Sequence, residues 1–67
     1  MNTRELAAEL ARKGLRFTAI ANMIGISKTA FYRKMNGQSQ FKLREIKSLK
    51  EILSLSPDRI SEIFFAE

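Results

Sequence analysis

Three glycines, Gly14, Gly25 and Gly37, cut the first half of the chain into short pieces, and each piece ahead of a glycine carries apolar residues at helical spacing. That punctuation restricts the chain to brief helices joined by tight turns. In the first piece Leu6, Ala7, Leu10 and Ala11 form one stripe. Asn2, with Glu5 three residues later, suits a capping box, and Gly14 is the stop, so a helix is predicted from about Thr3 to Lys13. In the second, Phe17, Ile20, Ala21 and Ile24 are spaced i, i+3, i+4, i+7 before Gly25. Ser27 can cap a third helix in which Phe31 and Met35 face inward, ended by Asn36-Gly37.

Beyond a polar loop from Gly37 to Gln40, Ile46, Leu49, Ile52 and Leu53 predict a fourth helix over Leu43 to Leu53, with Glu45 in its first turn where the helix dipole favours an anion. Ser56, Pro57 and Asp58 then start a fifth helix through Ile60, Ile63 and Phe64, with the single proline where it costs no hydrogen bond. No segment alternates with β periodicity. The expectation is one all-α domain over residues 1–67, a compact bundle of five short helices.

A chain of 67 residues buries a modest core and has little room for a large cleft. With neither cysteine nor histidine it lacks thiolate nucleophiles, imidazole bases and the common zinc ligands. Its carboxylates are scattered on outer faces, so neither an enzyme nor a cofactor or metal site is expected. No stretch reaches the roughly 20 apolar residues of a membrane span, and the first residues lack the apolar core of a signal peptide, which gives a cytoplasmic expectation with no membrane partner. Twelve Lys and Arg against seven Asp and Glu leave a net charge of +5, which favours a polyanionic partner. Lys28, Arg33, Lys34, Lys42, Arg44, Lys47 and Lys50 hold most of that excess, with Glu45 the single acid among them.

The second and third helices, with the turn Gly25-Ile26-Ser27 between them, have the helix-turn-helix pattern. Ala21 lies four before the turn glycine, and Ile26 and Phe31 supply the inner faces. The segment LRFTAIANMIGISKTAFYRKMNGQSQFKLREIKSLKEILSLS resembles the phage-repressor helix-turn-helix family, that of lambda repressor and Cro, or XRE-type. FKLREI and the ending EIFF resemble small phage regulators of the same group. The resemblance implies a lambda-repressor-like DNA-binding domain, acting in the cytoplasm of a bacterial host cell, whose third helix enters the major groove of a double-stranded operator. By that implication Lys28, Thr29, Tyr32 and Arg33 read bases, and Ser27, Asn36, Gln38 and Gln40 meet the phosphate backbone; Arg16, Lys34 and Lys42 are further phosphate candidates by their charge alone. The chemistry fits, since Arg and Lys donate to guanine O6 and N7, and hydroxyls and amides donate to phosphate oxygens.

Two positions at the start of the second helix depart from the family. Arg16 and Phe17 stand where it usually has Thr-Gln, so an amide anchor for a phosphate is replaced by a ring. Lys34 and Met35 also differ from its commonest choices. Phe17 reads either as core beside Ile20 and Ala21 or as an aromatic contact to a protein. Tyr32 reads as a DNA contact, a protein contact or a half-buried prop. Adjacent Phe64 and Phe65 cannot both face inward, which makes Phe65 a candidate interface residue.

Two functions follow from these readings. The first is a sequence-specific transcriptional regulator of the Cro or repressor type. The second is an antirepressor of the same fold, which pairs with a phage repressor and covers its DNA-reading surface through Phe17, Tyr32 and Phe65. Ile60, Ile63, Phe64 and Phe65 together suggest more apolar surface than one protomer covers, and hence a homodimer.

Overall fold

The Asn2 side chain caps the first helix, its oxygen accepting from the Glu5 N–H at 3.2 Å, but the expected capping box is only half formed, because the Asn2 N–H donates to the Ile63 carbonyl and the Glu5 carboxylate pairs with Arg59. The computed structural model describes residues 1–65, and all regular structure among them is helical. The elements are α1 (Thr3–Arg12), α2 (Phe17–Met23), α3 (Lys28–Met35), α4 (Leu43–Leu53) and α5 (Pro57–Ile60). The expected fifth helix through Phe64 is only partly α: after Ile60 the chain widens into a π-helical segment, Ser61–Phe65. No helix among the described residues is long and apolar enough to cross a membrane.

Four of the helices end the same way. After α2, Gly25 takes φ +80°, its N–H donates to the Asn22 carbonyl at 3.2 Å, and the Ile26 N–H reaches the Ala21 carbonyl at 3.0 Å. This is the paired closure in which one left-handed residue satisfies two orphan carbonyls of the last turn. Gly14 and Gly37 repeat it after α1 and α3, and Ser54, at φ +53°, repeats it after α4. Leu15, Ile26 and Leu55, which follow these left-handed residues, fold back onto the core. Chain reversal is thereby coupled to apolar burial.

The core takes Leu6 and Leu10 from α1, Ile20, Ala21 and Ile24 from α2, Phe31 from α3, and Leu49 and Leu53 from α4. Phe41, Leu55, Ile60, Ile63 and Phe64 complete it. Phe31 is fully buried and lies between two other rings, Phe17 at 5.2 Å and Phe41 at 5.7 Å, both edge-to-face. Tyr32 extends this aromatic series at one end and Phe64 at the other. A backbone bond from the Asn2 N–H to the Ile63 carbonyl at 2.6 Å ties the start of the chain to the π-helical segment.

Two groups of charged side chains fasten the helices. Arg59 donates to Glu9 at 2.8 Å, to Glu5 at 2.6 Å and to Glu62 at 2.9 Å, which clamps α5 onto α1. These hydrogen bonds, donated to Glu9, Glu5 and Glu62 in that order of effect, raise the Arg59 pKa above its ordinary value. Lys34 and Glu45 form the second group, and they change the reading of the basic surface.

Candidate nucleic-acid interface

Ser27 starts α3 by accepting the Ala30 N–H on its hydroxyl oxygen at 3.0 Å. The hydroxyl proton stays free to be donated outward. Lys28, Thr29, Tyr32 and Arg33 are all exposed and at 100° per residue span about 140° of helix arc. Phe31, Lys34 and Met35 occupy the inner arc, against the core. Four of the predicted contact residues thus share the outer face of α3.

Lys34 does not belong with them. It was expected to meet a phosphate, but it is 7% exposed and its ammonium lies 2.5 Å from Glu45. The physical reason is its position three residues after Phe31, on the inner face, where a buried carboxylate waits at the first turn of α4. The same Glu45 oxygen accepts the Lys42 N–H at 2.8 Å, and the Lys34 ammonium lies 5.7 Å from the Phe41 ring centroid. Burial alone would push the Glu45 carboxyl up, but the hydrogen bonds from Lys34 and the Lys42 backbone, with the charges of Lys34 and Arg44, bring it below its ordinary value. One charge pair therefore fixes both ends of the loop from Asn36 to Phe41.

That loop presents Asn36, Gln38 and Gln40 to solvent, with Lys42 exposed just beyond it. Arg16 is exposed at the start of α2, where its side chain makes no capping bond. Phe17 is half-buried, with its ring 5.2 Å from both Phe31 and Tyr32. It is thus a strut between core and surface. Phe65 is 63% exposed while Phe64 is buried, as their adjacency requires. Ile60, Ile63 and Phe64 are covered within the protomer, so of that apolar set only Phe65 faces outward.

The electrostatics of this half are one-sided. From Leu10 to Arg44 the sequence contains no acidic residue, while Arg12, Lys13, Arg16, Lys28, Arg33, Lys34, Lys42 and Arg44 lie within it. The acids that bound the stretch, Glu9 and Glu45, are both buried, paired to Arg12 and Arg59 and to Lys34. Among the described residues no carboxylate pairs with Arg16, Lys28, Arg33 or Lys42. The positive field around α3 is accordingly uncompensated at short range.

Sequence reasoning missed the roles of Glu9, Lys34, Glu45 and Arg59. A signal was present for Lys34 and Glu45, since each falls on its helix's inner arc beside apolar neighbours and the two are opposite in charge.

The chain matches the BetR domain over residues 3–63, nearly its whole length. It belongs to the BetR domain family. This small domain is found in bacterial and phage regulators, so the family points to a regulatory role. No curated protein and no solved structure matched the chain.

Proposed function

We propose that this BetR domain is a sequence-specific DNA-binding regulator of the phage Cro or repressor type, with α2, the Gly25 turn and α3 acting as a helix-turn-helix. The observation that carries this reading is the outer face of α3. It is exposed, hydrogen-bonding and cationic, and it lies within a stretch whose bounding acids are both buried and neutralised. Lys28, Thr29, Tyr32 and Arg33 would meet base edges in the major groove. Ser27, Asn36, Gln38, Gln40, Lys42 and Arg16 would meet phosphates on either side. The chain acts by occupying its site, with no chemical step. A reader this small covers few base pairs, and two copies on a two-fold operator, with half-sites about 34 Å apart, would supply the rest.

The antirepressor reading needs Phe17 as an anchor exposed to a partner. Its ring is instead half-buried between Phe31 and Tyr32, which weakens that reading although Tyr32 and Phe65 stay exposed. Binding of the purified chain to duplexes selected from a random library, followed by fluorescence anisotropy across salt, tests the proposal. A selected sequence bound at least about a thousandfold more tightly than random duplex, with affinity falling steeply in salt, is the expected result. Equal weak binding to all duplexes, or none at low salt, would overturn it.

A further inference from the structure

Arg16, Phe17, Thr18, Lys28 and Tyr32 line one open cleft of about 460 Å³ where the starts of α2 and α3 meet. Its lining joins two rings, two cations and the hydroxyls of Thr18 and Tyr32, an unusual mixture for a surface whose only task is to meet phosphates. Phosphate oxygens call for donors, and a supported aromatic ring adds nothing to that. The rings here are supported in series. Phe31 is fully buried, Phe17 packs edge-to-face on it at 5.2 Å, and Tyr32 packs edge-to-face on Phe17 at 5.2 Å.

A side chain on the outer face of a helix ordinarily samples several rotamers. Tyr32, 42% exposed, is instead braced from the core. Lys28, one turn earlier, places its ammonium 5.9 Å from the Tyr32 ring centroid, within cation–π range. The result is a braced aromatic surface beside a cation, both on the face of α3 that the DNA reading directs into the major groove.

The thymine 5-methyl is the apolar group on a major-groove base edge, and guanine presents its O6 and N7 acceptors there. We propose that Tyr32 reads the 5-methyl group of a thymine, that Phe17 is the positioning residue holding the ring for it, and that Lys28 is directed to the O6 and N7 acceptors of a neighbouring guanine. The inference rests on the reading of α3 as the DNA-contacting helix and adds the base that it selects. Arg16 and Thr18, on the α2 side of the cleft, stand where the flanking phosphate would pass.

The test uses the full chain and the duplex it prefers from a random library. Each thymine of that site is replaced singly by deoxyuridine, which removes only the methyl group. At one thymine the loss should be about fourfold, the equivalent of one buried methylene. Tyr32→Ala should bind the thymine and uracil forms of that site equally. Tyr32→Phe, which keeps the ring, should retain the fourfold difference, and Phe17→Leu should reduce it while the chain still melts cooperatively. A selected site without thymine, indifference of the unaltered protein to every uracil, or a uracil effect that persists in Tyr32→Ala would each overturn the proposal while leaving DNA reading intact. Absence of any sequence enrichment would instead overturn the DNA reading on which it rests.

Discussion

Lys34 and Glu45, eleven residues apart, meet at 2.5 Å with side chains only 8% and 1% exposed, and they join α3 to the first turn of α4. Removing one partner leaves the other charged and buried, which costs far more than the net contribution of the pair. Lys34→Ala should destabilise the domain by about 3 to 5 kcal/mol, a large share of what so short a chain possesses. Lys34→Met with Glu45→Leu, which removes both charges, should recover most of that loss. Thermal melting of the three proteins checks the order. If the fold survives Lys34→Ala, the salt dependence of its DNA affinity should match the unaltered protein's, because this ammonium faces inward.

Acid should weaken the fold through Glu9 and Glu45. Both carboxyls lie below the ordinary value of 4.5, Glu9 chiefly through its hydrogen bond from Arg59 and Glu45 because its bonds from Lys34 and the Lys42 backbone outweigh burial. A folded-state pKa below the unfolded one means that the unfolded chain binds the proton more readily. The stability contributed is then complete above the unfolded value and is lost as pH falls through the lowered ones. With no histidine in the chain, the melting temperature should stay nearly flat from neutral pH to about 5 and decline below it. Glu9→Gln should melt lower than the unaltered protein at pH 7, with the difference shrinking in acid. A melting temperature unchanged down to about pH 3 would contradict this account.

The first four helices were legible because their signals are local. Asn2 and Ser27 are caps whose bonds close within three residues, and Gly14, Gly25 and Gly37 each mark a left-handed position that glycine adopts without strain. Ser54 performs the same closure without that mark, since only the pull of Leu55 into the core selects it. The π-helical widening after Ile60 was not legible either. The apolar spacing of Ile60, Ile63 and Phe64 fits an ordinary α-helix, and the change of winding accompanies tertiary links such as the bond between Asn2 and Ile63.

At the candidate site, exposure followed from helix phase for Lys28, Thr29, Tyr32 and Arg33. Lys34 was misplaced because charge argues for the surface while position argues for the interior, and only a partner distant in sequence decides between them. Phe17 takes its predicted core role in part, being half-buried and packed on Phe31, while its ring also meets surface Tyr32.

Phe17→Gln, which installs the amide usual in the phage-repressor family, should cost stability before it affects binding. It removes two edge-to-face contacts, each contributing about 0.5 to 1.5 kcal/mol beyond the area buried. A drop in melting temperature is expected, accompanied by a change in the Tyr32 fluorescence signal as the ring loses its brace. Phe17→Leu should retain more stability. Full thermal stability in Phe17→Gln would show that the ring supports nothing.

Arg33 and Lys42 should separate sequence reading from charge neutralisation. Arg33 is exposed on the second turn of α3, on the face assigned to base edges, whereas Lys42 follows the loop at the start of α4, where a backbone contact is assigned. Arg33→Ala should therefore lose about 1 to 3 kcal/mol on the selected duplex and much less on random duplex, since only the former offers the matched base. Lys42→Ala should weaken both duplexes alike and lower the slope of log K against log salt by about one unit, the counterion equivalent of one phosphate. Titrations of both variants at several salt concentrations supply both quantities. Equal losses on the two duplexes for Arg33→Ala would move it to the phosphate-contacting set, and an unchanged salt slope for Lys42→Ala would remove that residue from the interface.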